Sequence, residues 1–164
     1  MYQLRLAGGP DAKGIMKGTV RALFVTPEKK ARPVCVESVE TVGKGFRGDF
    51  HSNFANRRQI LMISWSVLNE LGLEPGEIFE NVVVDGLDVM SLSEGLQIRM
   101  GGALMEVTIP CEPCSQMDRV RHGLQGALKD RRGMFVKVVT AGVVRVGDPV
   151  EVLCRESAAE NSPR

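Results

Sequence analysis

The chain has 164 residues, of which 43% are hydrophobic and 25% are charged, so one folded domain is expected and disorder of the whole chain is excluded. Lys and Arg total 21 against 20 Asp and Glu, a balance that gives no electrostatic case for nucleic-acid binding or a polybasic membrane anchor. The best apolar run, residues 60–68, is broken by Ser64 and Ser66 and is shorter than the roughly 20 residues of a membrane helix. Because residues 1–14 lack the apolar centre of a secretory signal, we expect a cytoplasmic protein.

Short segments with a two-residue hydrophobic period, separated by 18 glycines and 8 prolines, predict a β-rich fold. In chain order, the predicted strands are 18–25, 34–42, 58–64, 81–85, 96–99, 103–109, 134–140, 143–146 and 150–153. The first two should form a hairpin across the turn at 26–30. Helical spacing over 65–71 predicts a short helix that stops at Gly72.

No βαβ alternation is visible in this pattern, and so many short strands leave many edges to protect. We therefore predict an α+β, mainly β fold, with a closed or partly open barrel and one to three short helices. One domain should extend over residues 14–154, after an N-terminal extension at 1–13. A flexible tail is expected at 155–164 because it has no apolar anchor.

The densest chemical signal is the pair Cys111 and Cys114, which lies where an apolar strand gives way to a helix start. Ser115 and Asp118 have the spacing of a capping box, and free amides at a helix start favour a nearby thiolate. The sequence thus predicts a lowered pKa for Cys114, with help from the arginines at 119 and 121.

Several interpretations of this pair compete. A structural zinc site would need two more ligands, and a redox pair of the thioredoxin type would need a βαβ setting. In the third interpretation, both thiols are small buried fillers. The residues left to complete a zinc site are Cys35, Cys154, His51 and His122. A single soft, anionic sulfur on a rigid loop suits either a soft metal or a transferable sulfur atom.

A second polar cluster follows Gly48, where Asp49 and His51 place a carboxylate and an imidazole two residues apart. The pair either stabilises a turn or takes part in proton transfer, because histidine titrates closest to physiological pH.

Two further clusters have an ordinary structural interpretation beside the functional one. Glu80 and Asn81 precede a strand and can bond to turn amides. The basic run at 129–133, which contains Arg132, is either a solvated turn or a place to hold a phosphate.

Taken in order, these segments resemble the MOSC domain, the family named for its similarity to the C-terminal domain of molybdenum cofactor sulfurase. The resemblance covers roughly residues 14–153. The positions that carry it are Gly48, Asp49 and His51; Arg58 and Gln59; Glu80, Asn81, Gly86 and Leu87; Leu92, Gly95 and Ile98; Pro113 and Cys114; and Gly147 and Asp148.

The resemblance implies a β-barrel-like α+β domain in which Cys114 either ligates the molybdenum of a pterin cofactor or carries sulfur for it. It also implies that Asp49, His51, Glu80 and Asn81 lie around one pocket. The family is further associated with pyridoxal phosphate. Larger relatives that reduce N-hydroxylated compounds carry an additional N-terminal barrel domain, for which this chain has no room.

We therefore expect a protein that handles the molybdenum cofactor (molybdopterin). It would act either as an oxidoreductase for N-hydroxylated substrates or as a sulfur carrier. In the first case, Asp49 or His51 supplies a proton and an external electron donor is needed. In the second, a cysteine desulfurase supplies sulfur to Cys114, with Cys111 as a secondary thiol. The expected cofactor-binding residues are Asn81, Glu80, Arg58 and Arg132.

The alternative is a non-catalytic adaptor that delivers the cofactor to a molybdoenzyme. No nucleic-acid or membrane partner is expected.

Overall fold

The fold is taken from a computed structural model that describes residues 16–53 and 57–153. The extension predicted at 1–13, the tail predicted at 155–164 and Cys154 lie outside the described residues. No helix within the described ranges is long and apolar enough to cross a membrane.

The secondary structure is dominated by short strands, as the sequence predicts. The strands are β1 Lys17–Val25, β2 Val34–Val36, β3 Ser38–Val42, β4 Gly45–Phe46, β5 Ile60–Ser64, β6 Val82–Asp85, β7 Gln97–Met100, β8 Ala103–Pro110, β9 Met134–Thr140, β10 Val143–Arg145 and β11 Pro149–Leu153. The helices are α1 Trp65–Glu70, α2 Gln116–Val120 and α3 Leu124–Ala127, with short 3-10 helices at Phe50–Asn53 and Val89–Ser91.

Seven strands form a closed barrel in the order β11, β7, β8, β9, β5, β6, β1, and β1 pairs with β11 to complete the ring. The first half of β1 makes this closing contact, with Thr19 opposite Pro149. Its second half pairs with β2, which confirms the predicted hairpin. A separate sheet of three strands has the order β10, β3, β4. The predicted mainly β barrel with short helices is confirmed.

The prediction that no βαβ unit occurs is wrong. β5 and β6 pair in parallel, with Ile63 opposite Val83, and α1 lies between them in the chain. The sequence signal was obscured because α1 has only six residues and follows β5 without a loop. Its predicted end is confirmed, since Gly72 has a φ of +67°, which favours glycine.

The single strand predicted at 34–42 is also wrong. The run divides at Glu37, and its two halves belong to different sheets: β2 pairs with β1, and β3 pairs with β10. Both halves keep a strand-like sequence, so only long-range pairing shows the break.

Two hydrophobic clusters occupy opposite faces of the barrel wall. One contains alternate residues of all seven barrel strands, including Met62 and Val82, and fills the interior. The other packs Ile63 and Val83 of the same strands against the three helices. Because β5 and β6 are covered on both faces, their sequences are continuously apolar instead of alternating. The loops after β1 and β8 and before β6 meet on the outer side of this wall.

Candidate functional site

Cys114 lies in the short loop between β8 and α2. Its thiol is exposed and free. Cys111, three residues earlier, is also free but half-buried. Among the described residues, no group of three or more His, Cys, Asp or Glu side chains is placed to hold a metal ion.

The capping box predicted beside Cys114 is wrong. Ser115 precedes α2 in a helical conformation, and its side chain makes no capping hydrogen bond. The Asp118 carboxylate instead accepts a hydrogen bond of 2.9 Å from the backbone N–H of Gln125. Since α2 has only five residues, its dipole is also small.

Cys111 has a different electrostatic setting. Burial raises the pKa of its thiol, and the positive charges of Arg132 and Arg58 act in the opposite direction without cancelling that effect. The thiol form of Cys111 is therefore favoured.

Asp49 and His51 are joined by two polar contacts. Asp49 Oδ1 lies 3.0 Å from His51 Nδ1 and accepts a second hydrogen bond of 3.0 Å from the His51 backbone. The Asp49 side chain is fully buried, whereas that of His51 is 46% exposed. Although burial raises the pKa of Asp49, the hydrogen bonds from His51 and Thr26 outweigh it and the pKa is lowered. Asp49 is thus held ionised and orients the imidazole.

Asn81 completes the support of this carboxylate. Its Nδ2 donates to Asp49 Oδ2 at 2.9 Å and to the Phe24 carbonyl at 3.1 Å, and its Oδ1 accepts from the Leu61 N–H at 3.0 Å. Both amide hydrogens are therefore engaged, and the side chain is buried. In this structure, Asn81 acts by connecting β1, β5 and the Asp49 loop.

Glu80 and Arg132 are both buried beneath the site. Glu80 Oε1 accepts from the Gly76 N–H, and Arg132 Nη2 donates to the Ile78 carbonyl. Glu80 Oε2 and Arg132 Nη1 have no hydrogen-bond partner. Burial raises the pKa of Glu80, and the Arg132 charge acts against this shift without overcoming it.

Two cavities meet at these residues. The first, here called the thiol cavity, has a volume of about 180 Å³ and is bordered by Cys111, Cys114, His51, Asn81 and Arg132. Glu80 lies behind it and Arg58 is exposed, and neither is among the described residues that border it. The structure thus brings together five of the predicted site residues, with Asp49 directly behind His51.

The second, here called the basic cavity, is larger, about 550 Å³, and shares Cys114 and His51 with the first. Its lining includes three cationic side chains, Lys29, Lys30 and Arg119. The sequence analysis predicted only that the two lysines lie in a turn. Their charge was visible, but their approach to Cys114, more than 80 residues away, depends on the fold.

The comparisons with known proteins agree with this architecture. The chain resembles the crystal structure of the YuaD protein from Bacillus subtilis, with a TM-score of 0.75 and 23% identity over 84% of this chain and 96% of that one. It also resembles YiiM from Escherichia coli, with a TM-score of 0.64 and 20% identity over 87% of this chain and 72% of that one. For YiiM from Geobacillus stearothermophilus, the TM-score is 0.70 and the identity 19%, over 87% and 78% of the two chains.

At these identities, the structural likeness establishes the fold alone. A search of curated proteins found no match. The sequence model of the MOSC domain matches residues 49–151, which is more than half of the chain and spans the loop of Asp49, the strands β5 to β9 and Cys114. The chain therefore belongs to the MOSC domain family, a family associated with molybdenum cofactor functions.

Proposed function

We propose that this protein handles the molybdenum cofactor through Cys114, with the thiolate as a ligand of the metal. The observation that carries the proposal is the position of Cys114, an exposed thiol at the junction of the two cavities. A thiolate is a soft ligand that suits a high-valent molybdenum centre, and an accessible sulfur is the first requirement for that bond.

The basic cavity fits the anionic part of such a cofactor. At about 550 Å³ it falls within the usual range of ligand sites. Lys29, Lys30 and Arg119 offer three positive charges to a pterin phosphate, and these outnumber the negative charge of Glu28 in the same lining. When bound, the group supplies a metal centre that exchanges electron pairs with a substrate. The role of Arg58 and Asn81 at the phosphate stays a prediction, and the engaged amide of Asn81 favours the lysines as the phosphate ligands.

His51 is the proton donor in this proposal. Its Nδ1–H donates to the ionised Asp49, so the ring must take up a second proton at Nε2. That proton is the one delivered toward a leaving hydroxyl in the shared part of the cavities. Asp49 is not suited to donate the proton itself, because it is buried and its pKa is lowered. We propose N-hydroxylated compounds as the substrates and an external electron donor as the redox partner, in the cytoplasm, where free thiols stay reduced.

A second candidate function, sulfur carriage, is favoured by the presence of Cys111 in the same cavity as Cys114. The Cys114 thiolate would attack the terminal sulfur of a persulfide on a cysteine desulfurase. A new S–S bond forms at Cys114, the S–S bond on the desulfurase breaks, and its cysteine leaves as a thiolate.

The test combines metal analysis with mass spectrometry of protein purified without exposure to air. Three single variants are compared with the wild type: Cys114→Ser, Cys111→Ser and, as a matched control, Cys35→Ser, whose exposed thiol lies on β2. We expect stoichiometric molybdenum and pterin in the wild type and in the Cys35 variant. The Cys114 variant should lose at least about tenfold, because loss of even a residue that only supports a metal ligand typically lowers metal affinity by about 10–100-fold.

Other outcomes separate the alternatives. A gain of one sulfur at Cys114 after incubation with a desulfurase and cysteine, without molybdenum, would replace the first proposal by the second. If the Cys114 variant binds as much molybdenum and gains as much sulfur as the wild type, both proposals are wrong. The non-catalytic adaptor is then the alternative that is left.

A further inference from the structure

The thiol cavity contains a second sulfur atom, on Cys111, that the proposed metal ligation does not use. Cys111 and Cys114 border the same cavity of about 180 Å³, and both thiols are free. In an extended strand, residues three apart point to opposite faces, so the chain must turn after the end of β8 for both side chains to reach one cavity. Such a turn brings the two Cα atoms toward the separation of about 4.4–6.8 Å at which a disulfide forms.

The loop that carries the two thiols is anchored through its backbone. The Cys111 N–H donates to the Gly133 carbonyl at 2.9 Å, and the Pro113 carbonyl accepts from Gln125 Nε2 at 3.3 Å. The Cys111 sulfur makes a contact of 3.9 Å with the Glu112 carbonyl, a weak interaction that a covalent bond easily replaces. A bond between the two sulfur atoms therefore leaves the backbone anchors of the loop in place.

The two thiols differ in exposure, which gives them different roles. Cys114 is exposed and borders both cavities, so an incoming sulfur compound meets it first. Cys111 is half-buried, and burial is the largest cause of its raised pKa, to which the negative charge of Cys114 adds. Once Cys114 is part of a neutral disulfide, that charge is gone, while the charges of Arg132 and Arg58 still act to lower the pKa. Modification of Cys114 thus makes Cys111 easier to ionise.

We propose that Cys111 is a resolving thiol for Cys114, and that small disulfide compounds convert the pair into an intramolecular disulfide. First, the Cys114 thiolate attacks a disulfide RS–SR, so that an S–S bond forms at Cys114 and one RS⁻ leaves. Cys111 then gives its proton to solvent and attacks Cys114 Sγ, so that the Cys111–Cys114 bond forms, the mixed disulfide breaks and the second RS⁻ leaves. Two protein thiols are oxidised, and the small disulfide is reduced to two thiols.

The disulfide between Cys111 and Cys114 would deprive a metal of its ligand, because a sulfur atom in a disulfide has no thiolate to donate. A thiol reductant restores both groups. The pair therefore responds to the thiol–disulfide balance around the protein and frees Cys114 for ligation under reducing conditions. This consequence rests on the proposed function, whereas formation of the disulfide does not.

The test uses the full chain, purified under reducing conditions from cells grown without molybdate so that no metal occupies Cys114. The protein is incubated with hydroxyethyl disulfide, remaining thiols are blocked with iodoacetamide, and peptide mass spectrometry identifies the state of each cysteine. Cys111→Ser removes the resolving thiol, and Cys35→Ser, whose exposed thiol lies on β2, is the matched control.

We expect the wild type and the Cys35 variant to form a crosslink between Cys111 and Cys114, with the loss of two hydrogen atoms. In the Cys111 variant, the reaction should stop at the mixed disulfide of Cys114. Thiols joined by a short stretch of chain have an effective concentration on the order of millimolar. In about 0.1 mM free mercaptoethanol, the wild-type crosslink should therefore exceed the mixed disulfide about tenfold.

Equal amounts of the mixed disulfide on Cys114 in the wild type and in the Cys111 variant would overturn the proposal. An equal or higher ratio of crosslink to mixed disulfide in the chain unfolded in urea would also overturn it, because the fold would then not favour the bond. The Cys111 variant should still bind molybdenum and pterin when molybdate is supplied. Failure of the resolving thiol and failure of the cofactor proposal are therefore seen in different measurements.

Discussion

At the scale of single residues, Asp49 holds the site together. Its two oxygens accept hydrogen bonds from the backbone of Thr26 and His51, from the His51 ring and from the Asn81 amide. One buried carboxylate therefore fixes the end of β1, the imidazole and the entry to β6 relative to each other. The carboxylate stabilises the turn and orients the imidazole, whereas the part of this pair in proton transfer stays a prediction.

Replacing this carboxylate tests its structural part. We expect Asp49→Asn to lower the free energy of unfolding by about 2–3 kcal/mol at pH 7, because an amide cannot accept all the hydrogen bonds that the charged group receives. The measurement is urea unfolding followed by circular dichroism. Ser52→Ala, which removes a neighbouring hydroxyl that donates to the Asp49 carbonyl, is the control and should lower the free energy of unfolding by about 1 kcal/mol.

The pH dependence of that difference has a definite sign. The folded-state pKa of Asp49 lies below its ordinary value of 3.8, so its stabilisation is present above pH 3.8 and is lost as the pH falls through the folded-state pKa. The gap between wild type and Asp49→Asn should therefore close in strong acid. A gap that stays constant down to the folded-state pKa would contradict the ionised form of Asp49.

Glu80 should behave in the opposite way. Since its folded-state pKa is raised above 4.5, the associated stabilisation is full below pH 4.5 and is lost as the pH rises through the folded-state pKa. We expect the stability of Glu80→Gln relative to wild type to increase as the pH is raised over that range, in urea titrations. Glu37→Gln, on the surface, controls for loss of a carboxylate.

Much of the site was predictable at this scale, but its geometry was not. The two-residue spacing of Asp49 and His51 is local, so their pairing follows from the sequence. The contact between Asp49 and Asn81 spans 32 residues and appears only when β1 and β6 pair. The capping prediction at Ser115 failed because Asp118 has a better partner in the backbone of Gln125.

At the scale of elements, the alternation of apolar residues predicted where strands lie more reliably than it predicted which strands pair. β9 has the predicted bounds, and β8 differs by one residue, because their apolar positions alternate across a wall with one solvated face. The parallel pairing of β5 with β6 was missed, since a helix of six residues gives too little periodicity to identify a βαβ unit.

Gly133 determines how β9 begins beside Arg132. Its φ is +115°, and a Cβ at this position would overlap the Met62 carbonyl oxygen of β5. We expect Gly133→Ala to lower the free energy of unfolding by about 3 kcal/mol, from backbone strain together with the clash. Thermal and urea unfolding measure the loss.

The control for this substitution is Gly126→Ala. Gly126 lies within α3 and has open space where a Cβ would be, so alanine should increase stability by about 0.5–1 kcal/mol. Similar effects at both positions would mean that the close approach of Gly133 to β5 does not constrain the barrel.

At the scale of the whole molecule, the site depends on a wall that is shared by two cores. The barrel interior and the outer cluster contact opposite faces of β5 and β6, and Leu61 beneath the thiol cavity lies on the outer face. Loss of packing on either face should therefore also destabilise the packing on the other face, because the same layer of strands holds the side chains of both clusters.

This coupling predicts one cooperative transition. Val82→Ala, on the interior face, and Val83→Ala, on the outer face, should each lower the free energy of unfolding by about 2 kcal/mol, since both side chains are fully buried. The exposed Val139→Ala is the control and should change it by less than about 0.5 kcal/mol.

Two signals distinguish one transition from two. The single tryptophan, Trp65, packs against the outer cluster, so its fluorescence follows that layer, while far-ultraviolet circular dichroism follows the strands of the barrel. We expect the two midpoints in urea to coincide in the wild type and to shift together in both variants. If Val83→Ala moves the fluorescence midpoint and leaves the circular dichroism midpoint in place, the helical layer unfolds separately. The walls of the thiol cavity would then open while the barrel stays closed.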